Sequence, residues 1–324
     1  MKKFLLSVSV AAVMFSCQKQ DEFTGIPEVK DVKTSESSVT HRNCVSHTIL
    51  EQQMAEDPQL GQRMQEIERF TKEAATDPNN RIVNGVLEIP VVFNVLYNTA
   101  AENISLAQLQ SQIDVLNEDF QAANADYNTA NNPYSSVRAN IGYRFVLDQV
   151  FRKSTTKTSW GTRDACKKTK QGGLDPTSPT TKLNVWICTI GGGILGYAQF
   201  PGGASATDGV VFDSKYTGRT GTATAPFNLG RTATHEVGHW MNLRHIWGDA
   251  ACGSDLVSDT PTHDSANYGV PAVGHKSTCT GTPLEMYMNY MDYTDDRGMY
   301  MFSLGQKARM DAAFAVGGPR ASFR

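Results

Sequence analysis

The chain has 324 residues, with 30 Lys and Arg set against 33 Asp and Glu for a formal charge of −3. That balance and the absence of a basic run argue against a nucleic-acid partner. No internal repeat or long low-complexity stretch calls for a further domain, and the part from residue 82 onward, about 240 residues, is long enough to bury one sizeable core.

Residues 1–17, MKKFLLSVSVAAVMFSC, begin with two lysines, continue in an apolar run too short to span a bilayer comfortably, and end with small Ser16 before Cys17. This is the pattern of an export signal. The residues before Cys17 resemble a bacterial lipoprotein processing site, which would make Cys17 a lipid-bearing terminus on the outer membrane or cell surface. A signal cleaved a little further on, releasing a secreted chain, is the competing reading. Residues 18–40 read as a polar, flexible tether with little to bury. Residues 41–81 read as a prodomain, because Ile49, Leu50, Met54, Leu60, Met64, Ile67 and Phe70 recur among Glu, Gln and Lys in a helical pattern. The segment 77–85, DPNNRIVNG, has the Pro and Asn of an exposed turn and offers Arg81 for processing.

From residue 82 a single domain is expected. IPVVFNVLYN reads as a strand. Ser105 and Gln108 then form a capping-box pattern ahead of Leu106, Leu109, Ile113, Leu116 and Phe120 at helical spacing. YRFVLDQVF, LNVWICTI and DGVVFD read as further strands, so the expectation is an α/β (α+β) fold with a mixed sheet backed by helices. Residues 196–199, in the Gly-rich link between the last two, are either an edge strand or an ordinary hairpin connection. SLGQKARMDAAF closes the chain with another capped helix.

The most informative stretch is HEVGHWMNLRH, residues 235–245, which holds three of the seven histidines. On a helix His235 and His239 lie one turn apart on one face, so both can reach one metal ion, and Glu236 beside them can take a proton from an attacking water. His245 lies too far along for that face, so the chain must leave the helix and turn back to supply a third ligand. No Cys lies inside the motif to close the shell, as a structural zinc site usually requires. Downstream, Asp249, Asp255, Asp259 and Asp264 crowd a polar loop that is either a solvated surface or a calcium site. Beyond Cys17 there are Cys44, Cys166, Cys188, Cys252 and Cys279. If the last four pair, most simply as Cys166 with Cys188 and Cys252 with Cys279, Cys44 stays free, although spacing alone does not fix connectivity.

The extended motif, HIWGD after it, SDTPT and MNYMDYTDD resemble the metzincin zinc metalloproteases, in particular the ulilysin-like bacterial members of the pappalysin branch. Asn242 stands where that family has Gly, a turn with positive φ that Asn tolerates best after Gly. The resemblance implies a mostly parallel sheet with an active-site helix, an irregular C-terminal subdomain, and Met291 in a Met-turn beneath the metal. It implies a monomeric zinc metalloendopeptidase acting on proteins and peptides, with His235, His239 and His245 on zinc, Glu236 as base and Tyr293 as oxyanion donor. It also implies Cys44 as a zymogen switch on zinc, Asp296 as the carboxylate selecting Arg, then Lys, after the cleaved bond, and calcium near Asp255, Asp259 and Thr260. The family pattern favours the bridge from Cys252 to Cys279, whereas a further family cysteine is replaced at Arg297 and Gly298. A noncatalytic surface adhesin on the same fold would have lost Glu236 or a zinc ligand, and both are present.

Overall fold

The computed structural model describes residues 39–76, 86–129 and 132–324. The expected signal, nearly all of the tether and the cleavage segment 77–85 lie outside these residues. Val39 packs on the cluster of Leu195, Tyr216 and Phe227.

Two helices come first, α1 (Ser46–Glu56) and α2 (Pro58–Thr76), followed by β1 (Leu87–Tyr97), α3 (Leu106–Phe120) and β2 (Tyr143–Ser154). Then come β3 (Leu183–Ile187), β4 (Gly196–Ala198), β5 (Val210–Phe212), α4 (Arg231–Trp240) and α5 (Leu304–Phe314). The five strands form one sheet in the order β2-β1-β3-β5-β4, parallel except for β4, which runs antiparallel to β5 at the edge. Parallel neighbours need long crossovers, and α3 supplies the one between β1 and β2.

β1 is buried on both faces, which is why it reads as an unbroken apolar run. Ile89, Val91, Phe93 and Val95 face the main core, where they meet Leu109, Ile113, Leu116 and Phe120 of α3 and Val237 and Trp240 of α4. Leu96 points to the other face, into a cluster with Trp160, Trp186, Tyr197, Val211 and the α1 residue Ile49. The β1–β2 register slips between Val91 and Val92, opposite Leu147 and Gln149, leaving Asp148 as the extra residue of a bulge.

The helix starts are as expected in kind but not in every bond. Ser303 and Gln306 close a full capping box on α5. Ser105 accepts from Gln108 N on α3, but the Gln108 side-chain amide turns away to Thr217 O and Thr222 Oγ1, so this box is only half formed.

After α4 the chain is irregular as far as α5 and is joined by a disulfide between Cys252 and Cys279. The second expected bridge is absent: Cys166 and Cys188 are both free and buried in the same apolar cluster. Cys166 Sγ lies 3.6 Å from Tyr197 Oη. The spacing argument found the proximity, but proximity in an apolar cluster is not oxidation.

Candidate active site

α4 is buried along its whole length and passes beneath edge strand β4. Its polar side chains therefore need partners. Thr234 donates to Asp119 of α3, and Arg231 pairs with Asp119 and Asp126. His235 and His239 come from the middle of the helix. The chain then leaves it through Asn242, whose φ of 75° is the left-handed turn expected where the sequence has Asn for Gly. That turn brings His245 back to the other two.

The three imidazoles are held so that their Nε2 atoms converge. His239 Nε2 lies 3.2 Å from that of His235 and 3.0 Å from that of His245. Each Nδ1 has its own acceptor: Tyr290 O at 2.7 Å for His235, Leu243 O at 2.8 Å for His239, and Asp249 Oδ1 at 2.5 Å for His245. The Nδ1 atoms therefore carry the protons and three Nε2 lone pairs face one another. Burial, and then neighbouring histidines, hold His235 and His239 well below the usual imidazole range and so neutral. Lone pairs so aimed repel unless a cation lies between them. Bonds of about 2.05 Å to a tetrahedral zinc ion would set such nitrogens about 3.3 Å apart, close to the spacings seen. The donor set fits zinc.

Below the histidines, Met291 lies against α4, so close that a Cβ on Gly238 would come within 2.4 Å of its sulfur. Gly238 is thus required for the turn to seat. Tyr290, Met291 and Tyr293 form one unit with the histidines: Tyr290 O orients His235, Met291 O accepts from Ile246 N, and the Tyr293 ring packs 4.9 Å from that of His245.

Residues 42–46 lie across this centre. Cys44 Sγ, with the three histidines, belongs to a group of ligand atoms all within 4.8 Å of one another. It also lies 3.3 Å from Glu236 Oε2. Ser46 Oγ donates to the same carboxylate oxygen at 2.9 Å and accepts from Ala198 N of β4 at 2.8 Å. Tyr293 Oη donates to Cys44 O at 2.5 Å. Burial raises the Glu236 carboxyl to about 7 and, with the charge of Glu236 added, pushes the Cys44 thiol well up. The segment pairs with the edge strand: Leu195 N donates to Asn43 O, and Cys44 bridges Gly196 in parallel.

Asp296 is fully buried and is already paired with a cation. Arg42 Nη2 meets Asp296 Oδ1 at 2.6 Å, while Nη1 reaches Thr232 Oγ1, Nε reaches Thr294 O, and the guanidinium lies 5.0 Å from the Phe227 ring centre. The other carboxylate oxygen accepts from Leu229 N and Arg231 N, so the acid is fixed in place.

The acidic loop divides. Thr260 Oγ1 lies 2.9 Å from both Asp255 oxygens and 3.1 Å from Val257 O. Asp259 does not join them; it accepts from Ser303 Oγ and Gly305 N at the start of α5. Its carboxylate stabilises the helix N-terminus, where the dipole favours negative charge.

Sequence reasoning missed Arg42, Ser46 and the role of Asp249. Asp249 follows His245 at i+4, a spacing that could have suggested it, and Trp247 stacks on the same ring at 4.4 Å. The segment RNCVS could have suggested that Arg42 belongs with the carboxylate expected to bind Arg.

A family model described as Pregnancy-associated plasma protein-A matches residues 175–315. An extracellular metalloprotease of Pyricularia oryzae is 36% identical over 223 residues, covering 67% of this chain and 70% of its own length. Among solved structures, a Tannerella forsythia promirolysin mutant is similar with a TM-score of 0.79 and 39% identity, over 87% of this chain and 97% of that one. Mature mirolysin in complex with a cleaved peptide is similar with a TM-score of 0.71 and 41% identity, over 74% and 96%. The mostly parallel sheet, the histidine centre and these likenesses agree, and the chain belongs to the pappalysin family of metzincin zinc metalloproteases.

Proposed function

We propose that the chain is the latent precursor of a zinc metalloendopeptidase that cuts proteins and peptides just before Arg, and less readily before Lys. The observation that carries this reading is the placement of residues 42–46. Arg42 fills the Asp296 pocket, Cys44 faces the three histidines, and Ser46 is bonded to Glu236. A guanidinium that meets a buried carboxylate and also a hydroxyl and a carbonyl uses its planar set of donors, which an ammonium group cannot match. The prodomain's own arginine thus serves as a guide to the side chain that a substrate would place there.

Zinc held by His235, His239 and His245 would supply a Lewis acid that polarises the scissile carbonyl and makes a water nucleophilic near neutral pH. Glu236 then takes the proton of the attacking water and returns one to the leaving amine. Tyr293, freed from Cys44 O, donates to the oxyanion. Ala198 N, freed from Ser46, is a ladder donor for an extended substrate along β4.

Export is supported by the signal pattern of residues 1–17 and by relatives named as extracellular. Lipidation of Cys17 would tether the precursor to the membrane. Processing within 77–85 would remove α1 and α2 and leave an enzyme from about residue 82; promirolysin matches more of this chain than mature mirolysin does, as such processing requires. We assign calcium to Asp255 and Thr260, with Val257 O beside them, and leave Asp259 to its cap. Burial raises the Asp255 carboxyl to about 6, against the lowering pull of Thr260, Val257 N and Arg309.

The test is to sequence every product end from a diverse peptide library treated with the precursor after limited cleavage ahead of Val86, alongside Glu236→Ala. Cuts before Arg and Lys that vanish in the variant are expected. Cleavage that persists in Glu236→Ala, or the absence of any cleavage, would move the chain toward a binding or adhesin role.

A further inference from the structure

Phe200 follows the edge strand and lies at the opposite end of the cleft from the Arg42 pocket. Residues 42–46 run along β4 from Asn43 at Leu195, through Cys44 at Gly196, to Ser46 at Ala198. The histidine centre therefore lies between the Asp296 pocket on one side and Phe200 on the other. The Phe200 ring packs 5.3 Å from that of His239, so it adjoins the metal-binding group itself.

What covers Phe200 is informative. It is only 5% exposed, and the cluster that buries it is Leu60 and Met64, with Leu50, Met54 and Ile67 at the margin. Every one of those partners lies upstream of residue 77. Phe200 is the sole member that would remain in a processed enzyme. Ile67 Cδ1 and Met64 Sδ also close over Gly202, whose carbonyl accepts from Arg63 Nε at 2.9 Å. The prodomain thus fills two places in the cleft with two chemistries, a guanidinium on one side of the histidines and branched or thioether side chains on the other.

We propose that Phe200 is a specificity-determining residue, the floor of an apolar subsite that takes a Leu-, Met- or Phe-type side chain of the substrate on the N-terminal side of the cleaved bond. The assignment of sides rests on the reading above, in which Arg at the Asp296 pocket follows the cut. An aromatic surface uncovered beside the reacting bond is desolvated by such a side chain and by little else, and hydrophobic pockets discriminate by about tenfold to a hundredfold.

The experiment uses the full chain after limited cleavage ahead of Val86, with paired peptides that share Arg after the cut and carry Leu or Gly at each of the three positions before it. The expected result is a kcat/KM preference for Leu over Gly of about tenfold or more at one of those positions. That preference should fall to about one in Phe200→Ala and return in Phe200→Leu. Zinc content of each variant separates a lost subsite from a disturbed His239. A preference that survives in Phe200→Ala, or no preference in the unaltered enzyme while Glu236-dependent cuts before Arg persist, overturns the subsite alone. Loss of the cuts before Arg overturns the reading on which it rests.

Discussion

Asp249 fixes the proton of His245 on Nδ1, and no other described group does so for that ring. Partners of this kind keep a ligand's tautomer and orientation, and their removal costs roughly 10- to 100-fold in metal affinity. Asp249→Ala should therefore weaken zinc binding by that factor in a competition titration with a chromophoric chelator, while the variant stays folded. Asp255 gives a second expectation, one of pH. Its carboxyl rises from 3.8 to about 6 through burial, partly offset by Thr260 and Val257 N. The folded state thus holds this proton more tightly than the unfolded chain. The stabilisation it gives is complete below the unfolded value and disappears as pH rises through about 6, a change on the order of 3 kcal/mol. In calcium-free buffer, urea unfolding should show stability falling over pH 4–6, and Asp255→Asn should flatten that fall. Added calcium should stabilise the unaltered chain above pH 6 and leave Asp255→Asn unmoved; equal responses would remove the assigned site. The histidines and Glu236 were legible because their geometry is local, set by one helix and one turn. Ser46 was not, because its partners Glu236 and Ala198 are more than a hundred residues away in sequence.

The elements recognised from sequence are those with a full period to read. α3 has its apolar spacing and Ser105 cap, and β1 its long run of Val and aromatics, and both stand where expected. β5, read from DGVVFD, stands where expected, whereas β4 is three residues long and was left open between an edge strand and a hairpin connection; its pairing with β5 fixes it as a strand. α4 was located by its motif, and it is buried along its whole length, polar face included. It therefore depends on paired polar groups. Asp119 accepts from Tyr290 Oη at 2.6 Å and Thr234 Oγ1 at 2.7 Å and faces Arg231, so one α3 carboxylate ties α4 to the Met-turn. Burial raises this carboxyl against the pull of Arg231. Asp119→Ala would leave Arg231 with the Asp126 carboxylate and Asp296 O, and two buried hydroxyls without their acceptor. A loss of about 3–5 kcal/mol in unfolding free energy is expected from breaking such a buried set. Denaturant titration would read it, and a loss under 1 kcal/mol would show the network to be dispensable.

At the scale of the whole molecule, the first two helices stay joined to the catalytic part at points well separated in the fold. α2 packs on α5, where Glu68 makes two bonds to Arg309, and Thr71 accepts from the turn residue Asn242. Residues 42–46 engage the cleft through Arg42 on Asp296 and through Cys44 and Ser46, which both reach Glu236 while Cys44 also faces the histidines. Sequence resemblance drew attention to Cys44 alone, since a thiol near zinc has a known chemistry and an Arg or Ser in a polar stretch has none of its own. If the chain is the latent precursor proposed above, latency should be shared among these residues. In Cys44→Ala the cleft is still filled by Arg42 in the Asp296 pocket and by Ser46 on Glu236, so the uncleaved precursor should gain only part of the activity of the processed enzyme. Adding Arg42→Ala should raise it further, because the buried Asp296 loses its cation and the segment loses its anchor at one end. Arg42→Lys should fall between, keeping the charge without the planar donor set. Peptide cleavage by each precursor, with the intact mass checked at the end of the assay, measures this directly. Full activity in Cys44→Ala while the chain remains uncut would place latency on the thiol alone.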